Sequence, residues 1–414
     1  MNCLFVFNNS PLSPNYSGGA SRCLGSFLAL SKLGIGLNVV RLLEERVAQR
    51  VLTYEAEQHD ETALIRGKTQ SWADVVYSQP DRPRTRLDII RKAALDPVGL
   101  AFPEVASLGP EFRETCGRIG PDFIWAEWTL CATLTYTSDL KVPWVYSHHD
   151  WIYRIYQVRR NASSQPLYFT DRILSSTMRR VETQAVKRST VVVTGSATEA
   201  AELDQIASLP ARIIPTTYTP GPHVQGSRRA NQPVRIIHLG GLTTTANHLG
   251  LTAYLRDVHQ PLMQRCEDLR DRPQLFVVGE AKNAKEALLA QLRSVGATLT
   301  GPVYDLGTIL RPFDIAIIPY EFDTGTRTKL PLLFNHAQVV VTTQAAVAGS
   351  AEVMSGGNCV VLPSLCDFPD ALAALADDPT ERERIGRKAR ETFERCFTVD
   401  SQLNLFDDVV SKVV

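Results

Sequence analysis

The sequence of 414 residues has no excess of charge of either sign, because 44 Lys and Arg residues balance 44 Asp and Glu residues. Proteins that bind DNA, RNA or anionic membranes use clustered positive charge, so this balance argues against a nucleic-acid partner. The chain also lacks any run of about 18 apolar residues, the length that a membrane-spanning helix needs. We therefore expect no integral membrane segment.

Cysteine pairs are also missing. The eight cysteines are scattered, with no C-x-x-C pair and no histidine at zinc-ligand spacing. Isolated cysteines of this kind are typical of small buried side chains in a reducing compartment. The N-terminus has no basic region followed by a long apolar stretch, as a signal peptide requires. These absences predict a cytoplasmic protein with no metal site.

Short apolar runs bounded by turn residues alternate with helical patterns along most of the chain. Residues 4–7 and 38–42, for example, flank a helix pattern and form a βαβ unit, from which parallel sheets are built. The pattern stops in a segment rich in Pro, Gly and polar residues and then begins again. The predicted fold class is α/β, with two halves.

The boundaries follow from this interruption. The predicted segments are an N-terminal domain of residues 1–217, a linker of 218–232, a C-terminal domain of 233–395 and terminal helical residues 396–414. Ligands of parallel α/β sheets bind outside the carboxyl ends of the strands. An active site between the two halves is therefore expected.

The densest group of polar residues follows the predicted strand 314–318 and precedes an apolar helix pattern. Backbone N–H groups at such a turn bind anions, and nearby cations and hydroxyls strengthen the binding. The candidate phosphate ligands are Gly325, Thr326, Arg327, Thr328 and Lys329. Glu321 and Asp323, just ahead, suit a polyhydroxyl ligand. The alternative is an ordinary capped helix with a solvated Arg and Lys.

Three further loops that contain glycine are weaker candidates for ligand binding. Gly18 and Gly19 precede a helix pattern, and Gly240 and Gly241 follow a predicted strand. Any tight turn uses such pairs, and none of these loops is a G-x-G-x-x-G or P-loop motif. The turn after Gly301 carries Pro302 and Val303, which present backbone groups to a nucleobase or form only a turn.

Two histidines and an aspartate, His148, His149 and Asp150, follow the predicted strand 144–146. Adjacent side chains of an extended segment diverge, so one metal ion would rarely bind both histidines. Contact of a histidine with a ligand hydroxyl is the favoured interpretation. The alternative is that Asp150 only caps a following helix. Farther on, Arg180 and Glu182 are expected on a surface helix.

The order of these motifs along the chain resembles that of the family-4-like, or group 1, glycosyltransferases. The resemblance covers nearly the whole chain. It rests on motifs that recur in a fixed order, namely Gly18-Gly19, His149-Asp150, Arg180-x-Glu182, residues 192–196, His238-Leu-Gly240, Gly301 and residues 325–329. The family implies the GT-B fold, in which two Rossmann-like domains face a cleft and the last helix packs back on the N-terminal domain.

The resemblance also implies a reaction and roles for residues. The implied reaction transfers a sugar from a nucleotide-sugar donor to an acceptor hydroxyl with retention at the anomeric carbon, without a metal or other cofactor. The base would meet Pro302 and Val303, and the diphosphate would meet residues 326–329, with Gly18 and Gly19 closing over it. His148 and His149 would lie by the transferred sugar. The acceptor is expected to be a soluble glycan or a small molecule.

Two departures from the common family pattern leave alternatives open. Common members carry two glutamates separated by seven residues, whereas Lys329 stands at that spacing after Glu321, with Leu332 and Leu333 nearby. The loop at Gly241 lacks the usual Arg and Lys. The alternatives are a catalytically inactive GT-B protein that binds a nucleotide sugar or a partner, or a sugar-nucleotide epimerase on the same fold.

Overall fold

The structure is a computed structural model that describes residues 1–14, 16–80, 85–154, 169–221, 233–269, 272–322 and 328–414. Its contacts divide the chain into two compact units. Unit 1 consists of Met1–Pro215 and Gln402–Val414, and unit 2 consists of Thr216–Ser401. Each unit contains one parallel β-sheet with helices, as the α/β prediction requires.

The sheet of unit 1 has the strand order β3-β2-β1-β4-β5-β6-β7, and all of its pairs are parallel. Its strands are β1 (Asn2–Asn8), β2 (Gly36–Glu44), β3 (Thr69–Tyr77), β4 (Phe123–Glu127), β5 (Trp144–Ser147), β6 (Val191–Thr194) and β7 (Arg212–Ile213). The central strands are continuous apolar runs, because a parallel sheet is covered on both faces.

Helices occupy the connections between these strands. They are α1 (Gly18–Lys32), α2 (Glu45–Glu57), α3 (His59–Arg66), α4 (Arg86–Leu95), α5 (Pro97–Ala101), α6 (Val105–Ile119), α7 (Trp128–Thr137), α8 (Phe169–Arg188) and α9 (Ala197–Leu203). The core under α6, α7 and α8 includes Leu108, Phe112, Leu134 and Val181. This packing fixes the ends of β4 and β5, where the candidate histidines lie.

Unit 2 has the parallel strand order β10-β9-β8-β11-β12-β13. Its strands are β8 (Arg235–Leu239), β9 (Gln274–Val278), β10 (Thr298–Gly301), β11 (Ile315–Ile318), β12 (Val339–Thr343) and β13 (Val360–Leu362). Its helices are α10 (Thr245–Tyr254), α11 (Gln260–Arg265), α12 (Glu286–Ser294), α13 (Lys329–Asn335), α14 (Phe368–Asp377) and α15 (Pro379–Cys396). A π-helical turn, Leu255–His259, joins α10 to α11.

In each sheet the first strand of the unit lies in the middle, so the two units share the same winding order. In unit 1 the chain moves outward from β1 and returns to β4, and in unit 2 it moves outward from β8 and returns to β11. Connections leave the neighbouring strands in opposite directions at such a switch point, and ligands bind in the resulting crevice. The glycine loops at Gly19 and Gly240 each follow the first strand of their sheet.

The last helix, α16 (Val399–Val410), brings the chain back into unit 1. The Phe406 ring lies 5.8 Å from the Trp125 ring of β4. Asp408 accepts a hydrogen bond from Arg212 Nε at 2.8 Å. An apolar and a charged contact thus attach the C-terminus to unit 1.

The predicted linker is only partly described, because residues 222–232 lie outside the described residues. Its first residues are hydrogen-bonded within unit 2. Tyr218 N–H donates to the Phe397 carbonyl at 2.8 Å, and Gly221 N–H donates to Asn335 Oδ1 at 2.8 Å.

In the described ranges, no helix combines the length and the apolar character needed to cross a membrane. All eight cysteines are free thiols, and six of them are buried. The six therefore serve as small apolar core residues, as the sequence predicts.

Substituting Gly279 tests how closely the loops of unit 2 approach one another. Its φ is 145°, and a Cβ atom would lie 2.5 Å from the carbonyl carbon of Gly240. Gly279→Ala should lower the free energy of unfolding by roughly 1–3 kcal/mol, because backbone cannot move aside as a side chain can. Thermal unfolding measures the loss. Gly117→Ala, in α6 with nothing within 4 Å, is the control and should not destabilise. Equal melting temperatures for both variants would contradict the close approach.

Candidate active site

In unit 2, the ammonium group of Lys329 lies at the switch point between β8 and β11. Lys329 is the first residue of α13, and its Nζ donates hydrogen bonds to Asn247 Oδ1 and to the Tyr320 hydroxyl. The same Nζ lies 5.1 Å from the centre of the Tyr320 ring, within cation–π range. Asn247 belongs to α10 and Tyr320 follows β11. Three separate segments therefore fix the position of one positive charge.

The glycine loop after β8 makes room for this charge. A Cβ atom on Gly240 would lie 2.9 Å from Lys329 Nζ and 2.5 Å from Asn247 Nδ2. Asn247 Nδ2 also donates a hydrogen bond to the Gly241 carbonyl at 2.7 Å. This loop has no Arg or Lys of its own, so Lys329 brings a positive charge to it from another part of the sequence.

The loops after β8, β9 and β10 are linked through their backbones. The Gly240 N–H donates to the last residue of β9 at 2.7 Å, and the Gly279 N–H donates to the Gly301 carbonyl at 3.0 Å. All three glycines have positive φ angles, which other residues rarely adopt. The exposed Pro302 and the half-buried Val303 follow directly. The turn at Pro302 and Val303 is thus linked, through the loop after β9, to the Gly240 loop that contacts Lys329.

Of the other residues predicted to bind the donor, some lie in the described part of the chain and some do not. Gly325, Thr326 and Arg327, together with Asp323, lie outside the described residues. Thr328 precedes α13, and its carbonyl accepts a hydrogen bond from the Tyr218 hydroxyl at 2.7 Å. Glu321 is exposed and follows Tyr320.

Burial and the positive charge of Lys329 both act on the pKa of His238, which lies on β8. Its ring is fully buried, and neither ring nitrogen has a hydrogen-bond partner in the described part of the chain. Burial, and then the positive charge of Lys329, hold the pKa of His238 well below its usual value. His238 is therefore neutral at physiological pH, and it adds no charge to the site.

In unit 1, a buried carboxylate holds His149. His149 Nε2 lies 2.6 Å from Glu127 Oε2, and both side chains are buried. Burial lowers the pKa of His149 to about 4, although Glu127 opposes the shift. Burial alone would raise the pKa of Glu127, but the hydrogen bond from His149 and the charge of Arg22 hold it below its usual value. A neutral His149 that donates from Nε2 to an anionic Glu127 agrees with both shifts.

The indole ring of Trp128 covers His149. The two rings stack with their centroids 4.5 Å apart and an interplanar angle of 30°. Trp128 has a φ of 63°, a left-handed conformation that costs a non-glycine residue on the order of 1–3 kcal/mol. A Cβ atom on Gly19 would lie only 2.7 Å from Trp128 Cζ2. Gly19, which follows Gly18 at the start of α1, therefore leaves space for an aromatic ring within unit 1 itself.

The two histidines diverge, as expected for neighbours in an extended segment. His148 is fully buried, and its Nδ1 lies 3.7 Å from Glu199 Oε2. Its ring packs edge-on against Tyr146 and Trp151. His148 thus belongs to the interior of unit 1, whereas His149 lies against Trp128. Asp150 is exposed.

One group of side chains in the described ranges has the composition of a metal site. Cys23, Glu127 and His149 bring potential ligand atoms within 4.8 Å of one another, and all three are buried. The guanidinium of Arg22 already acts on Glu127 as a positive charge, and burial raises the pKa of the Cys23 thiol well above its usual value. The Glu127 carboxylate therefore lies near a positive charge, and the Cys23 thiol is neutral.

The expectation that Glu182 lies on a surface helix is wrong. Its side chain is fully buried on α8 and accepts hydrogen bonds from the backbone N–H groups of Ile152, at 2.7 Å, and Tyr153, at 3.2 Å. Burial raises the pKa of Glu182 to about 8, against the opposing effect of these bonds. Glu182 therefore anchors the backbone that follows the His149-Asp150 pair.

Two Rossmann-like units with this shared strand order agree with the GT-B fold that the resemblance predicts. Residues 233–378 match the family model described as glycosyl transferases group 1. Unit 2 therefore carries a group 1 glycosyl transferase domain, and the expected class, a glycosyltransferase, is confirmed. A search of curated protein sequences finds no significant match.

Several solved structures are similar to this chain over nearly its whole length. Anabaena HepE in complex with UDP has 13% sequence identity and a TM-score of 0.63, covering 99% of this chain and 100% of that chain. Sucrose-phosphate synthase from Thermosynechococcus elongatus has 11% identity and a TM-score of 0.67, covering 100% and 99%. S. aureus TarM has 10% identity and a TM-score of 0.65, covering 98% and 100%. At these identities the structures support the fold alone.

Five residues of these sites were not predicted from the sequence. They are Glu127, Trp128, Asn247, Gly279 and Tyr320. Glu127 and Tyr320 do follow strand patterns, and such positions lie at the ligand-binding edge of a parallel sheet. A position after a strand pattern therefore suggests a residue near a ligand, but it does not predict which side chains are in contact.

The pKa of Glu182 predicts a pH-dependent stability. The folded protein keeps this carboxyl protonated up to about pH 8, whereas an unfolded chain releases the proton near pH 4.5. The associated stability is present below pH 4.5 and is lost as the pH rises through 8. Glu182→Gln cannot ionise, so its melting temperature should fall less between pH 5 and pH 8 than that of the wild type. Glu111→Gln, an exposed site on α6, should keep the wild-type slope. Identical slopes for all three proteins would contradict the shift.

Proposed function

We propose that this chain transfers a sugar from a nucleotide-sugar donor to an acceptor hydroxyl, with retention of the anomeric configuration. The observation that carries the proposal is the Lys329 ammonium, held against the Gly240 loop by Asn247 and Tyr320. A diphosphate leaving group gains negative charge in the transition state, and a fixed cation at that point stabilises it. The nucleotide sugar is a co-substrate, and no further cofactor is proposed.

The donor's diphosphate is proposed to bind Lys329 together with Thr326, Arg327 and Thr328. The nucleobase is proposed to meet the backbone at Pro302 and Val303. HepE structures in complex with UDP and with UDP-glucose support a uridine nucleotide as the first donor to test.

His149 is proposed to lie by the transferred sugar and to hydrogen-bond one of its hydroxyls. In a neutral imidazole that donates from Nε2 to Glu127, Nδ1 is an acceptor, the type of atom to which a sugar O–H donates. Glu127 fixes the tautomer, and Trp128 restricts the ring by stacking. Glu127 is therefore a positioning residue in this proposal.

Replacing Lys329 tests the donor assignment. Lys329→Ala should lower turnover of UDP-glucose by roughly 10²–10³-fold, the loss typical of one preorganised transition-state donor. UDP-glucose affinity, measured by calorimetry in the absence of acceptor, should fall less, because the diphosphate of the intact donor carries less negative charge than that of the transition state. Lys329→Arg should restore turnover only in part, since a planar guanidinium cannot replace a compact ammonium.

The matched control is Lys282→Ala, which removes an exposed lysine of the same unit and should leave both quantities unchanged. Wild-type turnover in a folded Lys329→Ala protein would refute the phosphate role.

One observation favours a second candidate, a GT-B protein that binds a nucleotide sugar without transferring it. Helix α13 has the sequence KLPLLFN and offers no carboxylate for the ribose. UDP binding without release of UDP from any UDP-sugar, across a panel of acceptors, would support this candidate over the transferase.

A chelator tests the proposal that no metal is used. Excess EDTA should leave turnover and the melting temperature unchanged, because the hydrogen bond from His149 and the positive charge of Arg22 already stabilise the Glu127 carboxylate. Cys23→Ser distinguishes the alternative. A melting temperature that EDTA lowers in the wild type but not in Cys23→Ser would mean that Cys23, Glu127 and His149 hold a metal ion.

A further inference from the structure

Residues 218–221 are hydrogen-bonded to both ends of helix α13, which carries Lys329 at its first position and ends at Asn335. They follow directly on Thr216 and Thr217, with which unit 2 begins. We call residues 218–221 the connector segment, because the chain enters unit 2 just before them. The helix that supplies the proposed phosphate-binding lysine is thus attached to the point where the chain passes from one unit to the other.

At the start of α13, the connector segment is bonded to the peptide group that precedes Lys329. The Tyr218 hydroxyl donates a hydrogen bond to the Thr328 carbonyl oxygen at 2.7 Å. Tyr218 is 3% exposed, and it belongs to the same apolar core cluster as Leu330 and Phe334 of α13. Close packing leaves such a ring little freedom, so its hydroxyl is held at a fixed position.

The bond to the Thr328 carbonyl acts on the backbone of Lys329. A peptide unit is planar, and the plane that contains the Thr328 carbonyl also contains the nitrogen and the Cα atom of Lys329. A carbonyl oxygen has two lone pairs, so it can accept from Tyr218 and from the helix backbone as well. The Tyr218 hydroxyl therefore fixes the atom from which the Lys329 side chain starts.

The far end of α13 is bonded to the connector segment through Asn335. The Gly221 N–H donates to Asn335 Oδ1 at 2.8 Å, and Asn335 Nδ2 donates to the Thr219 carbonyl at 3.0 Å. Arg390 of α15 donates to Asn335 Oδ1 at 2.7 Å and to the Gly221 carbonyl at 3.1 Å. Asn335 is buried, so the loss of a partner here leaves a polar group unsatisfied.

A helix as short as α13, which has 7 residues, depends on such contacts. Isolated helices shorter than about 12 residues are marginal in water, so packing and end contacts must hold α13 in place. The ammonium group of Lys329 is held by Asn247 and Tyr320, while the connector segment holds its backbone. Both ends of a long, flexible side chain are thus fixed before a ligand binds.

We propose that Tyr218 is a positioning residue for Lys329, and that the connector segment keeps α13 where the donor site requires it. This inference rests on the proposed transferase function, in which Lys329 stabilises the leaving diphosphate. Displacement of a preorganised group by about 1 Å can lower turnover by up to about 10²-fold, because the stabilisation of the transition state depends on distance.

Tyr218→Phe in the full chain tests the inference, because it keeps the packed ring and removes only the hydroxyl. Turnover of UDP-glucose should fall roughly 10-fold, as expected for a small displacement of Lys329. UDP-glucose affinity, measured by calorimetry without acceptor, should change by less than about 3-fold, because the intact donor carries less charge than the transition state. Hydrogen–deuterium exchange of the α13 amides should become roughly 5-fold faster, the factor that corresponds to the loss of one hydrogen bond.

A merely structural role would lower activity independently of Lys329. In the Lys329→Ala background, Tyr218→Phe should therefore cause no further loss of turnover, because the residue on which it acts is gone. The matched control is Thr392→Val, which removes the hydrogen bonds of a buried threonine on α15 to Asn358 and to the Lys388 carbonyl. This control should change neither turnover nor the exchange of α13.

The outcomes separate this inference from the proposed function. Unchanged exchange of α13 in Tyr218→Phe would overturn its attachment to the connector segment. Faster exchange with wild-type turnover, or a further loss of the same size in the Lys329→Ala background, would overturn the positioning role and leave the transferase proposal intact. Absence of wild-type turnover with every UDP-sugar would instead count against the proposed function, and the exchange measurement would still decide whether Tyr218 holds α13.

Discussion

The central position of the first strand in each sheet is the constraint on which the rest of the structure depends. Because β1 and β8 lie in the middle, the chain must wind to one edge and then return to the other side of its first strand. The return places β4 beside β1 and β11 beside β8. Glu127 and Trp128 at the end of β4, and Tyr320 after β11, thus reach the two crevices that this winding creates.

The two crevices treat charge differently. In unit 2, Asn247 and Tyr320 contact the Lys329 ammonium through neutral oxygen atoms, so these two bonds fix its position without cancelling its charge. In unit 1, Glu127 lies beside His149 and Arg22 in a buried environment. A buried carboxylate needs such partners, because removing one of them typically costs about 3–5 kcal/mol. Unit 2 thus holds a positively charged group at its crevice, whereas in unit 1 the Glu127 carboxylate orients another side chain.

Close backbone approach is the second physical requirement. Gly240 accommodates Lys329, Gly279 lies against Gly240, and Gly19 faces Trp128. In each case a Cβ atom would occupy space that another group already fills. Gly19, which the family resemblance places at the diphosphate, and Gly240, a weaker candidate ligand, therefore each leave space for a side chain of the protein itself.

The sequence by itself determined the α/β class, most of the central strands and the loops in which polar residues concentrate, because strand and helix periodicity and turn residues are local properties. It did not locate β3, β7 or β10. It did not reveal that Glu182 is buried, because an amphipathic helix pattern does not state which neighbours cover a given side chain. Only the tertiary structure decided that Lys329 meets Asn247 and Tyr320, and that His149, but not His148, meets Glu127 and Trp128. These contacts join residues from separate segments, and their distances depend on strand order and on side-chain packing, which sequence spacing does not encode.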